Sequence, residues 1–247
     1  MLTAIRGALG FLTRLPVAHD DRTWAAFRTT PASLPLAGYV IGGLVAVVFL
    51  VPIPPATAGV GYALALYGLT GVAHVDGLAD LGDAMAVHGD TAARRRAMKD
   101  TAVGAGGVLL VVIVVVGVIT AGMAIGGRGI GLLAVVVAAE VAAKLGMATI
   151  ACVGEATHEG LGSALADPVG PRAALLPALV ALPAGVLDWP RVGPAAVALL
   201  AGVVGALVVF AWARRRLGGM SGDVLGAANE IGRLVGLHAG VITWTLS

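Results

Sequence analysis

The sequence predicts an all-α, polytopic integral membrane protein with about seven transmembrane helices. The chain has 247 residues, of which 58% are hydrophobic and only 12% are charged, whereas soluble domains carry about 25% charged residues. Its mean hydropathy is +0.95. Small and aliphatic residues dominate, which suits helices that pack closely in lipid. We therefore expect one membrane-embedded domain over residues 1–247.

The N-terminal segment, residues 1–30, is expected to lie on the membrane surface. Arg6 and Arg14 interrupt its apolar run, and no small-residue cleavage site follows, which argues against a signal peptide. One helical face carries apolar side chains, which is typical of an interfacial helix. These residues are Leu2, Ile5, Leu9 and Leu12.

Seven apolar runs follow, and each has about the length that a bilayer span needs. Prolines end the first run, and a glycine-rich turn separates the third from the fourth. The fifth run is the shortest and is interrupted by Pro177 and Pro183. The predicted spans are 34–51, 56–73, 108–125, 130–153, 173–187, 194–213 and 224–246.

The basic residues predict the orientation of these spans. With the N-terminus in the cytoplasm, 12 of the 16 Lys and Arg residues fall in cytoplasmic segments, which is the bias that membrane proteins show. The polar segments 74–107, 154–172 and 214–223 then face the cytoplasm. We expect a multi-pass protein of a prokaryotic cell (inner) membrane. Because the basic residues lie at the ends of apolar runs, no nucleic acid is expected as a partner.

The most informative stretch is the polar segment 74–107. Asp76, Asp80 and Asp83 stand at i, i+4 and i+7, so they share one face if the segment is helical. Carboxylates that repel each other are stabilised by a hard cation, which indicates a Mg²⁺ site. Gly77 would let a phosphate or a neighbouring helix approach. The alternative interpretation is a solvated acidic face.

Further residues of this segment are candidates for substrate binding. Lys99 precedes Gly104 at a glycine-rich helix entry, which suits a phosphate contact. A Lys at a cytoplasmic span end is equally expected from topology alone. His74 stands beside the aspartates and is interpreted as a supporting residue that binds phosphate or acts as a base.

The last span opens with a second polar group, Asp223, Asn229 and Glu230. An ionisable residue at this depth is expected to face the bundle interior or water, so Glu230 is a candidate metal ligand or proton acceptor. Glu140 and Lys144 form a further pair inside the fourth span. Their i,i+4 spacing fits a functional pair and a self-neutralising structural pair equally well. The loop that contains His158 is interpreted as solvated.

Together these motifs resemble the cobalamin synthase (adenosylcobinamide-GDP ribazoletransferase) family. The matching pieces occur in family order along nearly the whole chain. They are Phe11–Pro16, Pro35–Gly38, His74–Asp80 with Asp83, Met98–Asp100 with Gly104 and Gly107, and Ser221–Ala227 with Asn229 and Glu230.

The resemblance implies a Mg²⁺-dependent transferase that joins adenosylcobinamide-GDP to α-ribazole or its 5′-phosphate and releases GMP. By this resemblance, Mg²⁺ would be bound by Asp76, Asp80 and Asp83. The proton acceptor would be one of Asp83, Asp100 or Glu230. Lys99 would bind phosphate, and the remaining substrate contacts would be His74, Gly77, Gly104, Asp223 and Asn229. The lipid bilayer is a further partner, and a homo-oligomer is compatible with the sequence.

Two alternative functions fit parts of the sequence. A CDP-alcohol phosphotransferase that makes a lipid would use similar aspartates, but it should have Arg at the position of Asp80. A transporter with an acidic cytoplasmic gate should place polar residues near the bilayer midplane and show related halves. Here the acidic residues cluster at one surface, and the halves do not resemble each other.

Overall fold

The computed structural model describes residues 1–17, 20–128, 130–166 and 169–247. Within these ranges the chain is helical and has no β-strand, which confirms the predicted all-α class. Outside them lie residues 18 and 19 of the predicted N-terminal segment, residue 129 of the predicted turn between the third and fourth spans, and residues 167 and 168 of the polar segment 154–172. The helices are α1 (Leu2–Leu12), α2 (Asp21–Arg28), α3 (Ser33–Ala46), α4 (Pro55–Thr70), α5 (Ala73–Ala86), α6 (Thr91–Ala97), α7 (Ala105–Ile125), α8 (Leu133–Val153), α9 (Leu161–Ala166), α10 (Leu175–Ala181), α11 (Val192–Arg216) and α12 (Gly222–Leu246).

Helices α1 and α2 pack against each other. Phe11 contacts Trp24 and Phe27, with ring centroids 5.8 and 5.4 Å apart. Helix α2 begins at a capping box, because Asp20 accepts a hydrogen bond from Thr23 N at 2.7 Å. The side chain of Leu2 is 80% exposed, so α1 has an apolar residue on the side that faces away from the bundle.

Four helical segments are long and apolar enough to cross a bilayer, or five if one bent pair counts as a single span. The four are Ser33–Leu50, Ala105–Ile125, Leu133–Val153 and Gly193–Arg216. The bent pair is α4 with α5, whose axes differ by 100°. Gly71 lies at this bend with φ of 72°, a backbone conformation that favours glycine.

The predicted count of about seven spans is larger than this number. In the region of the predicted fifth span, the apolar helical segment Pro171–Val186 is shorter than the spans above, and Pro177 and Pro183 lie inside it. Helix α12 has 25 residues, but Glu230 and Arg233 near its middle make it less apolar than a simple span. Both side chains are buried in the bundle.

Helix α8 lies at the centre of the bundle, and 83% of its most apolar stretch of 18 residues is buried. It packs against α3, α11 and α12. Helix α5, by contrast, lies outside the four apolar spans and packs between α7 and α12. Helix α5, which bears the aspartates, therefore lies beside the N-terminal ends of α7 and α12.

Candidate functional site

The three aspartates of segment 74–107, Asp76, Asp80 and Asp83, lie on one helix, as predicted. Helix α5 spans Ala73–Ala86, and its buried residues include Gly77, Leu78, Leu81 and Ala84. Asp76 is exposed, whereas Asp80 and Asp83 are partly buried. The i, i+4, i+7 spacing therefore places the three carboxylates along one side of a helix, but they have different surroundings.

Asp83 caps the N-terminus of α7. Its Oδ2 accepts a hydrogen bond from Gly104 N, and its Oδ1 accepts one from Gly107 N, both at 2.8 Å. Backbone N–H groups at a helix start have no partner within the helix and carry a partial positive charge, so a carboxylate stabilises them. Gly104 takes part in this site through its backbone amide.

Asp223 comes close to the aspartates of α5. It lies in the first turn of α12, which Ser221 caps by accepting a hydrogen bond from Val224 N at 3.3 Å. Burial raises the pKa of Asp80 to about 6, and the negative charges of Asp223, Asp76 and Asp83 add to this effect in that order. Burial, and to a smaller degree the charge of Asp76, also raises the pKa of Asp223. Asp223 is thus a stronger electrostatic neighbour of Asp80 than Asp83 is.

The close approach of α5 to α12 depends on Gly77. A Cβ atom at this position would lie 2.7 Å from both Cα and the carbonyl oxygen of Asp223. Backbone atoms cannot move aside without moving the helix. The expected role of Gly77 in admitting a neighbouring helix therefore matches its environment.

We expect Gly77→Ala to lower the free energy of unfolding by about 1–3 kcal/mol, because it overpacks this helix contact. Gly68→Ala is the matched control, since a Cβ there meets nothing within 4 Å and alanine favours a helix. Thermal unfolding of both variants in detergent measures the effect. Equal stability of the two variants would contradict the contact.

Asn229 and Glu230 lie deeper, in a buried polar network below His74. Asn229 Nδ2 lies 3.0 Å from His74 Nδ1 and donates to Glu230 Oε1, also at 3.0 Å. An ionised Glu230 only accepts hydrogen bonds, so it fixes the amide orientation of Asn229. His74 Nδ1 must then accept, and a neutral His74 carries its hydrogen on Nε2.

The network continues into the centre of the bundle through ion pairs. Glu230 Oε2 accepts from Tyr67 Oη at 3.3 Å and from Arg233 Nη1 at 2.5 Å. Arg233 also pairs with Glu140 through its Nε, and Lys144 Nζ lies 2.7 Å from Glu140 Oε2. The four ionisable side chains are buried and carry two charges of each sign. Glu140 and Lys144 are therefore part of a larger network, not an isolated pair.

Lys99 and Asp100 lie at the surface after α6. Asp100 Oδ1 accepts a hydrogen bond from Ala102 N at 3.1 Å. Lys99 lines a cavity of about 110 Å³ together with Arg95 and Asp223. Arg95 is held in place because its guanidinium donates to Leu217 O at 2.6 and 2.8 Å.

A second cavity of about 370 Å³ also has Asp223 in its wall. Its wall contains His74, Asp76, Asp223 and His158 beside several apolar side chains. His158 is exposed in its loop, in agreement with the sequence interpretation, and it also lines both cavities. An isolated parallel bridge between Ala156 and Met220 brings its loop to the start of α12. No local sequence signal indicates this contact.

Within the described ranges, no group of three or more His, Cys, Asp or Glu side chains is arranged to bind a metal ion by itself. This does not conflict with a magnesium site, because Mg²⁺ usually binds one or two carboxylates and takes its other ligands from water and substrate phosphates. Burial is the largest cause of the raised pKa of Asp80, and the nearby charges of Asp223, Asp76 and Asp83 add to it; a cation would relieve the repulsion among these carboxylates.

These features define an all-helical, multi-pass membrane protein that gathers carboxylates, a lysine and two cavities at one end of its bundle. The chain belongs to the family described as Cobalamin-5-phosphate synthase, whose model matches residues 4–241. This confirms the resemblance found in the sequence motifs.

Individual relatives match along nearly the full length. A protein of Halorubrum lacusprofundi, described as adenosylcobinamide-GDP ribazoletransferase, is 50% identical, and the alignment covers 99% of both chains. A protein of Haloquadratum walsbyi with the same description is 44% identical over 100% of both chains. A third, from Deinococcus radiodurans, is 37% identical over 94% of this chain and 83% of the relative. No solved structure matches the chain.

Proposed function

We propose that this chain is an adenosylcobinamide-GDP ribazoletransferase. The observation that carries the proposal is the 50% identity over 99% of both chains with a relative of that description. In the proposed reaction, a ribose hydroxyl of α-ribazole or its 5′-phosphate attacks the cobinamide-linked phosphorus of adenosylcobinamide-GDP. A new P–O bond forms, the bond to GMP breaks, and adenosylcobalamin or its 5′-phosphate is produced.

Asp76 and Asp80 are the proposed ligands of Mg²⁺. They lie one helical turn apart, and the negative charges of Asp223 and Asp83 act on Asp80 together with that of Asp76, an arrangement that a cation would stabilise. When bound, Mg²⁺ would neutralise the negative charge of the diphosphate. Asp83 is reassigned as a positioning residue, because both of its oxygens already accept hydrogen bonds from the start of α7.

Asp223 is the proposed acceptor of the hydroxyl proton. It lines both cavities, and its raised pKa makes it a stronger base than an exposed carboxylate. Glu230 suits this role less, since its carboxylate is paired with Arg233, and Asp100 does not line either cavity. His74 is proposed to donate its Nε2–H to a phosphate oxygen, and Lys99 to bind the phosphate of the leaving GMP.

The proposed environment is a prokaryotic cell membrane, with this site facing the cytoplasm. Arg95, Arg96 and Lys99 lie near the site, and Arg214 to Arg216 end α11. Basic residues accumulate on the cytoplasmic side of membrane proteins, which supports this orientation.

The test is transfer activity in membranes or detergent with adenosylcobinamide-GDP and α-ribazole. We expect formation of a cobalamin product and GMP in the presence of Mg²⁺, because the diphosphate requires charge neutralisation. Removing the ion with EDTA should abolish the activity, and added Mg²⁺ should restore it. A folded protein that forms no corrinoid product would disprove the function, and full activity in EDTA would disprove the metal requirement.

A further inference from the structure

The two cavities meet at Asp223 and His158, which line both of them. Apart from these two residues, the walls differ in charge, because Arg95 and Lys99 line the smaller cavity and Asp76 lines the larger one. The two cavities are therefore neighbouring compartments of one site that share a polar boundary.

The smaller cavity is basic. Arg95 and Lys99 line it, and the same two residues continue into an adjoining surface depression with Arg96 and Thr91. The described lining of that depression contains no Asp or Glu. This side of the boundary suits a phosphorylated, polar ligand.

The larger cavity is mainly apolar. Its described lining contains no Lys or Arg. Its polar side chains include Asp76, whose charge acts on Asp223 at the boundary, and His74. The apolar wall includes Phe11 and Leu12 of α1, Leu161 and Leu165 of α9, Met147 of α8 and Leu225 of α12. A volume of about 370 Å³ is typical of a small-molecule pocket, and a corrinoid is far too large for it.

We propose that the larger cavity, with its apolar wall, binds the benzimidazole base of the α-ribazole acceptor, and that the smaller, basic cavity and the adjoining depression bind the phosphate of the GMP portion of the donor. This inference rests on the proposed function. In phosphoryl transfer the entering and leaving oxygens lie roughly in line on opposite sides of the phosphorus. The acceptor and the leaving GMP must therefore occupy different parts of the site, and the two cavities adjoin at Asp223, the proposed proton acceptor. The corrinoid remains outside both.

The test measures the Kd of two probes, α-ribazole and GMP, for the purified full chain in detergent with Mg²⁺ by isothermal titration calorimetry. Leu161→Ala and Phe11→Ala alter the apolar wall. Each should raise the Kd of α-ribazole about tenfold and change that of GMP less than about twofold. Lys99→Ala should do the reverse, because it removes a charged contact to phosphate.

Two matched controls separate cavity effects from general ones. Trp24→Ala disturbs the same aromatic cluster as Phe11→Ala, and Arg214→Ala removes an exposed cation at the end of α11. Neither residue lines either cavity, so both Kd values should stay within about twofold of the parent. Leu161 is 37% exposed, so its truncation tests the wall if Phe11→Ala does not fold.

Three results would overturn the assignment. They are a reversed pattern, an equal loss of both probes in every wall variant, and binding of neither probe by the parent protein. A reversed or equal pattern in an enzyme that still forms a cobalamin product would disprove the cavity assignment alone. Absence of product from folded protein would disprove the proposed function as well.

Discussion

Asp76→Asn is expected to lower the transfer rate about a thousandfold while the protein still folds. Asp76 is exposed on α5, so its charge contributes little to folding, whereas the proposed diphosphate substrate needs a cation that this carboxylate helps to hold. The measurement is product formation per folded protein, with thermal unfolding as the check on folding. Activity above about a tenth of the parent value would remove Asp76 from the metal site.

Two further variants test whether the loss of activity in Asp76→Asn is specific to that carboxylate. Glu159→Gln removes an exposed carboxylate beside His158 and should leave both rate and stability unchanged. Asp83→Asn should instead lower the thermal midpoint, because an amide cannot accept hydrogen bonds from both Gly104 N and Gly107 N. A loss of activity in Asp83→Asn at parental stability would return Asp83 to the metal ligands.

Arg233→Met is expected to lower the free energy of unfolding by about 3–5 kcal/mol, because it leaves buried carboxylates without their partner. Arg233 bridges Glu140 and Glu230, and both acids are at most 1% exposed. In the variant, Lys144 would neutralise only one of the two. Chemical unfolding in detergent measures the change.

The double variant Glu140→Gln with Arg233→Met provides the comparison. It removes one charge of each sign and leaves Lys144 and Glu230, so the buried charges balance again. We expect it to be more stable than Arg233→Met alone, which a double-mutant cycle records as a coupling energy. Additive losses from the two substitutions would show that the network is not a coupled unit.

The sequence predicted the features that depend on local pattern. The all-α class follows from apolar runs, and the α5 helix follows from the spacing of its aspartates, because both are properties of neighbouring residues. The predicted number of about seven spans exceeds the four or five helical segments of the described residues that are long and apolar enough to cross a bilayer. Hydropathy does not predict the 100° bend between α4 and α5, whereas Pro177 and Pro183 in the fifth run and Glu230 in the last one are visible in the sequence.

The tertiary arrangement of the candidate site was not accessible from the sequence. The stronger influence of Asp223 than of Asp83 on Asp80 arises where α12 meets α5, about 140 residues apart in the chain. The pairing of Glu230 with Arg233 was visible as an i,i+3 spacing. The link from Arg233 to Glu140 depends on the packing of α12 against α8.

The double attachment of α5 constrains how the chain can change in length. Gly77 contacts the start of α12, and Asp83 caps the start of α7. A single inserted residue between them would rotate one attachment by about 100° relative to the other, so both contacts could not form together. Residues 87–90, between α5 and α6, do not have to hold two contacts at a fixed angle about a helix axis. Length variation among functional chains should therefore be confined to segments like this one and be absent between Gly77 and Asp83.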